Sequence, residues 1–199
     1  MLMGILIGIE SPLIAIQLLW INLVTDSLPA IALGLEPEDK NIMSKKPINS
    51  KKGIFADGLW SKIMVEGAMI GIITLLAFTI GNNMFGLEVG RTMAFATMSM
   101  LELIHAFNVR TDESIFSIGF FTNKYMCLAV AVGSVLQIGV ITIEPIAKIF
   151  KVIPLTPLAW IIVMLLSISP LIIVEIQKQL NRFIFVERVY PQRKNAIRT

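Results

Sequence analysis

Charge is scarce in this chain: 16% of its 199 residues are Asp, Glu, Lys or Arg, while 55% are hydrophobic. With a mean hydropathy of +0.77, that balance excludes an ordinary soluble domain. There is a single cysteine, Cys127, which excludes an internal disulfide; it falls in an apolar run and reads as a small hydrophobe. A signal-peptide pattern is lacking, because no basic stretch precedes the first apolar run and no small-residue cleavage site follows it. Internal repeats and low-complexity segments are lacking too.

What the chain does have is apolar runs long enough to cross a bilayer, for which about 20 residues suffice. Full spans are expected at 12–33, 59–81, 92–108, 125–144 and 156–176. Polar connections are expected at 34–58, 82–91, 109–124 and 145–155, with a tail at 177–199. The fold class is therefore an all-α membrane protein, a multi-helix transmembrane bundle.

The placement of basic residues gives the orientation. Lys40, Lys45, Lys46, Lys51 and Lys52 share one loop, and Lys178, Arg182, Arg188, Arg193, Lys194 and Arg198 lie near or in the tail. The 34–58 loop, the 109–124 loop and the tail must share a side, so that side is expected to be cytoplasmic. The opposite side keeps Arg91, Lys148 and Lys151. Nothing aromatic or helix-turn-helix-like accompanies the basic residues, so no nucleic-acid partner is expected. Membrane lipid is the expected surroundings, in the cell membrane with several passes.

The opening MLMGILIGIESP raises a separate expectation. Glu10, Ser11 and Pro12 read as a turn. Residues 1–9 would then reach only about 14 Å into a hydrocarbon core of roughly 30 Å. They read as part of a helix whose remainder lies upstream.

The most unusual stretch is NLVTDSLPA, polar at the centre of an apolar span. Asn22, Thr25 and Asp26 are spaced so that one helical face would carry all three. An Asp at a helix centre costs about 2.5–3.5 kcal/mol on insertion scales, so an intramembrane carboxylate marks function by default. Pro29 has no N–H to offer the Thr25 carbonyl, which adds a backbone oxygen at the same depth. Oxygens are what a hard cation seeks. A second intramembrane carboxylate, Glu102, could face Asp26 across the bundle, with His105 one turn on as its hydrogen-bond partner or as a proton relay. Asn22, Thr25, Asp26 and Glu102 are thus the candidate metal ligands. Calcium prefers 6–8 ligands, so these four need help from elsewhere. Glu66, Glu144 and Glu175 read as span-end acids reaching interfacial water. Gln137 reads as interhelical glue, and the small-residue pairs Gly67/Gly71 and Gly4/Gly8 as close helix contacts.

QLLWINLVTDSLPAIALGLEPEDKNIM closely resembles the sixth transmembrane helix and following loop of P-type calcium-transporting ATPases, and the resemblance runs through the whole chain. It implies the cation-ATPase C-terminal domain, from the end of helix five through helix ten. It implies that the family's N-x-x-T-D ligands fall on Asn22, Thr25 and Asp26, and its eighth-helix glutamate on Glu102. It implies a coupling loop whose acids here are Glu36, Glu38 and Asp39. The aspartyl-phosphate motif DKTGT and the TGES-type loop are absent from the sequence. ATP and magnesium would therefore bind a portion of the pump N-terminal to this chain, and this chain alone would have no ATPase activity. The expected cargo is calcium, with manganese as the alternative. The competing readings are a stand-alone cation carrier or channel, and an inactive pump fragment.

Overall fold

The computed structural model describes residues 11–37, 59–111 and 114–189, with side chains as far as residue 180. Among these residues the secondary structure is helical, without strands. The stub at 1–9, the bulk of the 34–58 loop, Gly4 and Gly8, Glu38 and Asp39, and the end of the tail lie outside them.

The first span is not one helix. Helix α1 (Ala15–Trp20) runs into a π turn (Ile21–Thr25), and helix α2 (Ser27–Gly34) follows. The sequence explains the widened turn. Pro29 cannot donate to the Thr25 carbonyl, so the regular ladder fails at this level. The Ile21 carbonyl instead accepts from the Asp26 N–H at 3.0 Å and from the Thr25 hydroxyl at 2.7 Å. One extra residue enters the turn, the hallmark of a π bulge.

Helices α3 (Leu59–Phe85) and α4 (Leu87–Val109) form a hairpin joined by Gly86 alone, at φ 96°. The sequence placed a ten-residue connection at 82–91; the structure closes it to one residue, because only glycine tolerates that φ comfortably. Close packing next to the turn also depends on glycine. A Cβ on Gly81 would lie 2.7 Å from Gly90 Cα, and one on Gly90 would lie 2.8 Å from the Asn82 nitrogen.

After α4 come a short helix α5 (Ile115–Ile118), a 3₁₀ turn (Phe120–Thr122) and helix α6 (Lys124–Thr142), which the Asn123 side chain caps by accepting from Met126 N–H. The expected loop at 145–155 contains helix α7 (Glu144–Phe150), closed by Lys151 in the left-handed region. Helix α8 (Pro157–Val189) continues well past residue 176, where the sequence placed the end of the last span. Inside it, the carbonyl of Leu166 loses its donor to Pro170, and the Ser169 hydroxyl donates to it at 2.7 Å.

Four stretches among the described residues are long and apolar enough to cross a membrane: Ala15–Gly34, Leu59–Phe85, Lys124–Thr142 and Pro157–Leu180. The remaining expected span, 92–108, falls within α4, which does not meet that apolar criterion. Its polar residues are buried instead, since Thr92, Thr97, Ser99, His105 and Asn108 are all enclosed. Gln137 acts as the sequence predicted: its Oε1 accepts from Trp20 Nε1 at 2.9 Å, joining α6 to α1. Gln17 Nε2 donates to the Phe150 carbonyl at 3.0 Å, and Trp20 meets the Phe150 ring edge-on at 5.3 Å. The segment 1–9, a candidate neighbour for Gly67 and Gly71, lies outside the described residues. Among the described residues a Cβ on Gly67 or Gly71 meets nothing within 4 Å, and both line an open groove of about 220 Å³ with Leu13, Leu18 and Met98.

Candidate cation site

The interrupted turn and α4 meet at a second cavity of about 300 Å³. Thr25, Asp26 and Pro29 line it from the first segment, Glu102 and His105 from α4, and Ile70 from α3. The Asp26 and Glu102 carboxyl groups interact directly across it. Among the described residues neither pairs with a basic side chain. Glu102 Oε2 is buried without a hydrogen-bond partner. A buried, unpartnered carboxylate oxygen costs free energy unless something fills the place. Two facing carboxyl groups either share a proton or repel once both are ionised, and a shared cation removes that repulsion.

The four candidate ligands divide. Asp26, Thr25 and Glu102 line the cavity; Asn22 does not. Nor do Asn22, Thr25 and Asp26 share one environment. Thr25 is fully buried, with its hydroxyl proton given to Ile21 and its lone pairs left over, while Asn22 and Asp26 are exposed on this chain. Among the described residues no cluster of three or more acids, histidines or cysteines could hold a metal by itself. Thr25, Asp26 and Glu102 thus bring side-chain oxygens to one cavity, with Asp26 the exposed member.

His105 does not pair with Glu102. Its Nε2 lies 3.3 Å from Glu66 Oε2 on α3, and its Nδ1 lies 3.3 Å from Asn108 Nδ2. Glu66 is therefore engaged with α4, a pairing its span-end position did not indicate. Glu175 is corrected in the same way. Only 3% exposed, it accepts from Ser114 Oγ at 2.6 Å and from Ile115 N–H at 3.0 Å, with Lys178 Nζ at 3.5 Å. Glu144, by contrast, stays exposed beside Lys148. No signal within either segment marks the first two pairings, because each joins residues far apart in sequence.

A third polar cluster closes the same end of the bundle. Glu36, just past α2, accepts from Arg110 Nε at 2.9 Å and from Arg110 Nη2 at 2.6 Å. Asn123 Nδ2 donates to Glu36 Oε2 at 2.6 Å and to the Ala32 carbonyl at 2.9 Å. Partial burial alone would raise the Glu36 carboxyl. The hydrogen bonds from Arg110 and Asn123, with the Arg110 charge, outweigh it and hold the group below its ordinary 4.5. A carboxyl lowered on folding adds stability that is present above its unfolded value and lost as pH falls through the folded one. The expected result is a thermal-melting advantage of the parent over Glu36→Gln that holds at neutral pH and shrinks once pH drops below 4.5. A gap that stays constant from pH 7 to pH 3 would contradict this account.

The fold and the site together define a class: an all-helical, multi-pass membrane bundle with facing acids in a broken-helix cavity. The protein-family description "Cation transporting ATPase, C-terminus" matches residues 10–180, and the chain belongs to that family. It is 42% identical to calcium-transporting ATPase 1 of Bacillus cereus, over 88% of this chain and 22% of that protein. It is 40% identical to the calcium-transporting ATPase of Bacillus subtilis, over 85% of this chain and 19% of that protein. It is 34% identical to calcium-transporting ATPase type 2C member 1 of Homo sapiens, over 89% of this chain and 20% of that protein. The chain thus spans about a fifth of the length of the relatives it matches. It corresponds to the C-terminal membrane part of such a pump, and the reading as a stand-alone carrier is not favoured.

Proposed function

We propose that this chain supplies one side of the intramembrane cation site of an ATP-driven calcium pump, with Asp26 and Glu102 as charged ligands and Thr25 contributing oxygen. Asn22 joins the set when the rest of the pump covers its exposed face. One observation carries this reading: two carboxylates meet in an open cavity beside a broken helix turn, with a buried oxygen unpartnered and, among the described residues, no lysine or arginine paired with them. The remaining ligands, ATP and magnesium belong to the portion of the pump outside this chain. The 34–58 loop, the 109–124 loop and the C-terminal tail face the cytoplasm, in keeping with their lysines and arginines. Manganese, equally oxygen-seeking, is the alternative cargo.

The test is ATP-driven uptake of radioactive calcium into proteoliposomes holding the full-length pump. Glu102→Gln should raise the half-saturating calcium concentration by roughly tenfold or more, since ligand charge count sets affinity at such sites. Unchanged calcium dependence in Glu102→Gln would remove that residue from the site. Uptake of manganese but not calcium by the parent protein would reassign the cargo.

A further inference from the structure

We propose that Glu36 and Arg110 are positioning residues for the cation site, because their ion pair fastens the helix that follows Asp26 to the helix that carries Glu102. This rests on the reading of Asp26 and Glu102 as the charged ligands.

The geometry is specific. Both Glu36 oxygens are engaged by the Arg110 fork, at 2.6 and 2.9 Å. A two-point contact between planar groups fixes direction as well as distance, which a lysine point charge would not do. The Arg110 side chain is 1% exposed, so it has no water to turn to if Glu36 leaves. Asn123 ties the Ala32 carbonyl in the last turn of α2 to the same carboxylate. Its Oδ1 accepts from Met126 N–H, which sets its orientation.

The need for such a fastening follows from the π turn. Helix α2 has eight residues and enters through a turn whose ladder is broken beside Asp26. A short helix beyond an interrupted turn lacks a continuous ladder to set its angle, so contacts along it must do so. Ala32 packs with Ala106, Phe107 and Met126, and a polar contact at the far end of the helix is needed to fix direction. The Glu36–Arg110 pair holds that end, and it holds it against α4 itself. The two carboxylates therefore keep their separation when the segment after Glu36 is pulled.

The experiment uses the full-length pump in membrane vesicles. Two quantities are measured: phosphoenzyme formed from ATP across a calcium titration, and phosphoenzyme formed from inorganic phosphate without calcium. Glu36→Gln should raise the half-maximal calcium concentration by about tenfold, the scale of coupling between linked sites. Phosphorylation from inorganic phosphate should stay at the parent level. Arg110→Lys keeps the buried charge and loses the fork, so it should fold and show a smaller shift in the same direction. Parent-like calcium dependence in both variants would overturn the proposal. So would an equal loss of both phosphorylation reactions at unchanged calcium dependence, which is what a merely structural role predicts. Asp26→Asn run alongside separates the two claims. If it leaves calcium activation normal, the site reading itself fails; if it abolishes activation while the Glu36 and Arg110 variants behave as parent, only the positioning role fails.

Discussion

Asp26→Asn in the full-length pump should abolish calcium-dependent phosphorylation by ATP. Asparagine keeps the shape and one oxygen of the side chain and removes the charge. Attraction between unit charges about 4 Å apart is on the order of 4 kcal/mol at an effective dielectric of about 20. Its loss corresponds to about a thousandfold in affinity, enough to take the site out of any working calcium range. Nothing among the described residues compensates, because the cavity has no second acid beyond Glu102 to take over. Phosphorylation by inorganic phosphate without calcium should persist, which shows that the variant is folded and that its phosphorylation machinery is intact. Normal calcium activation of Asp26→Asn would refute the assignment.

Gly90→Val should be the most damaging change away from the site. The added Cβ would sit 2.8 Å from the Asn82 nitrogen, 2.9 Å from the Phe78 carbonyl oxygen and 3.1 Å from Asn82 Cα. All three are backbone atoms, so no rotamer change relieves the clash; α3 and α4 must separate. Overpacking usually costs about 1–3 kcal/mol, and a clash with fixed backbone lies at or above the upper end of that range. Gly34→Ala is the control, since its new methyl group meets nothing within 4 Å. Thermal unfolding in detergent should show a lowered midpoint for Gly90→Val and little change for Gly34→Ala. Equal midpoints would mean that the hairpin is not packed as described.

Much of the fold was legible because the bilayer imposes long apolar runs, and polar residues inside them stand out. That contrast marked Asp26 and Glu102, and it also marked Pro29 as the place where the helix would break. It did not reveal that the break takes the form of a widened turn, which buries Thr25 and leaves Asn22 outside the cavity. That outcome depends on which hydrogen bonds replace the lost one, and sequence spacing assumes an unbroken 3.6-residue period. Glu66 and Glu175 were read from their positions near span ends, and Glu36 only as an acid of the loop that the resemblance implies. Their partners His105, Ser114 and Arg110 lie on other elements, and periodicity says nothing about such long-range pairings. The hairpin at Gly86 was missed for a different reason. Polar Asn82, Asn83 and Arg91 looked like loop residues, yet helices on either side absorb them once one glycine turns the chain.

That turn has a mechanical consequence. With one residue between α3 and α4, and glycine packed against backbone just inside it, the hairpin has no slack along its axis. Glu102 can therefore slide along the bundle only together with its 27-residue neighbour. The Glu36–Arg110 pair ties the short segment after Asp26 to the same hairpin, so a pull on the chain beyond it is shared by both arms.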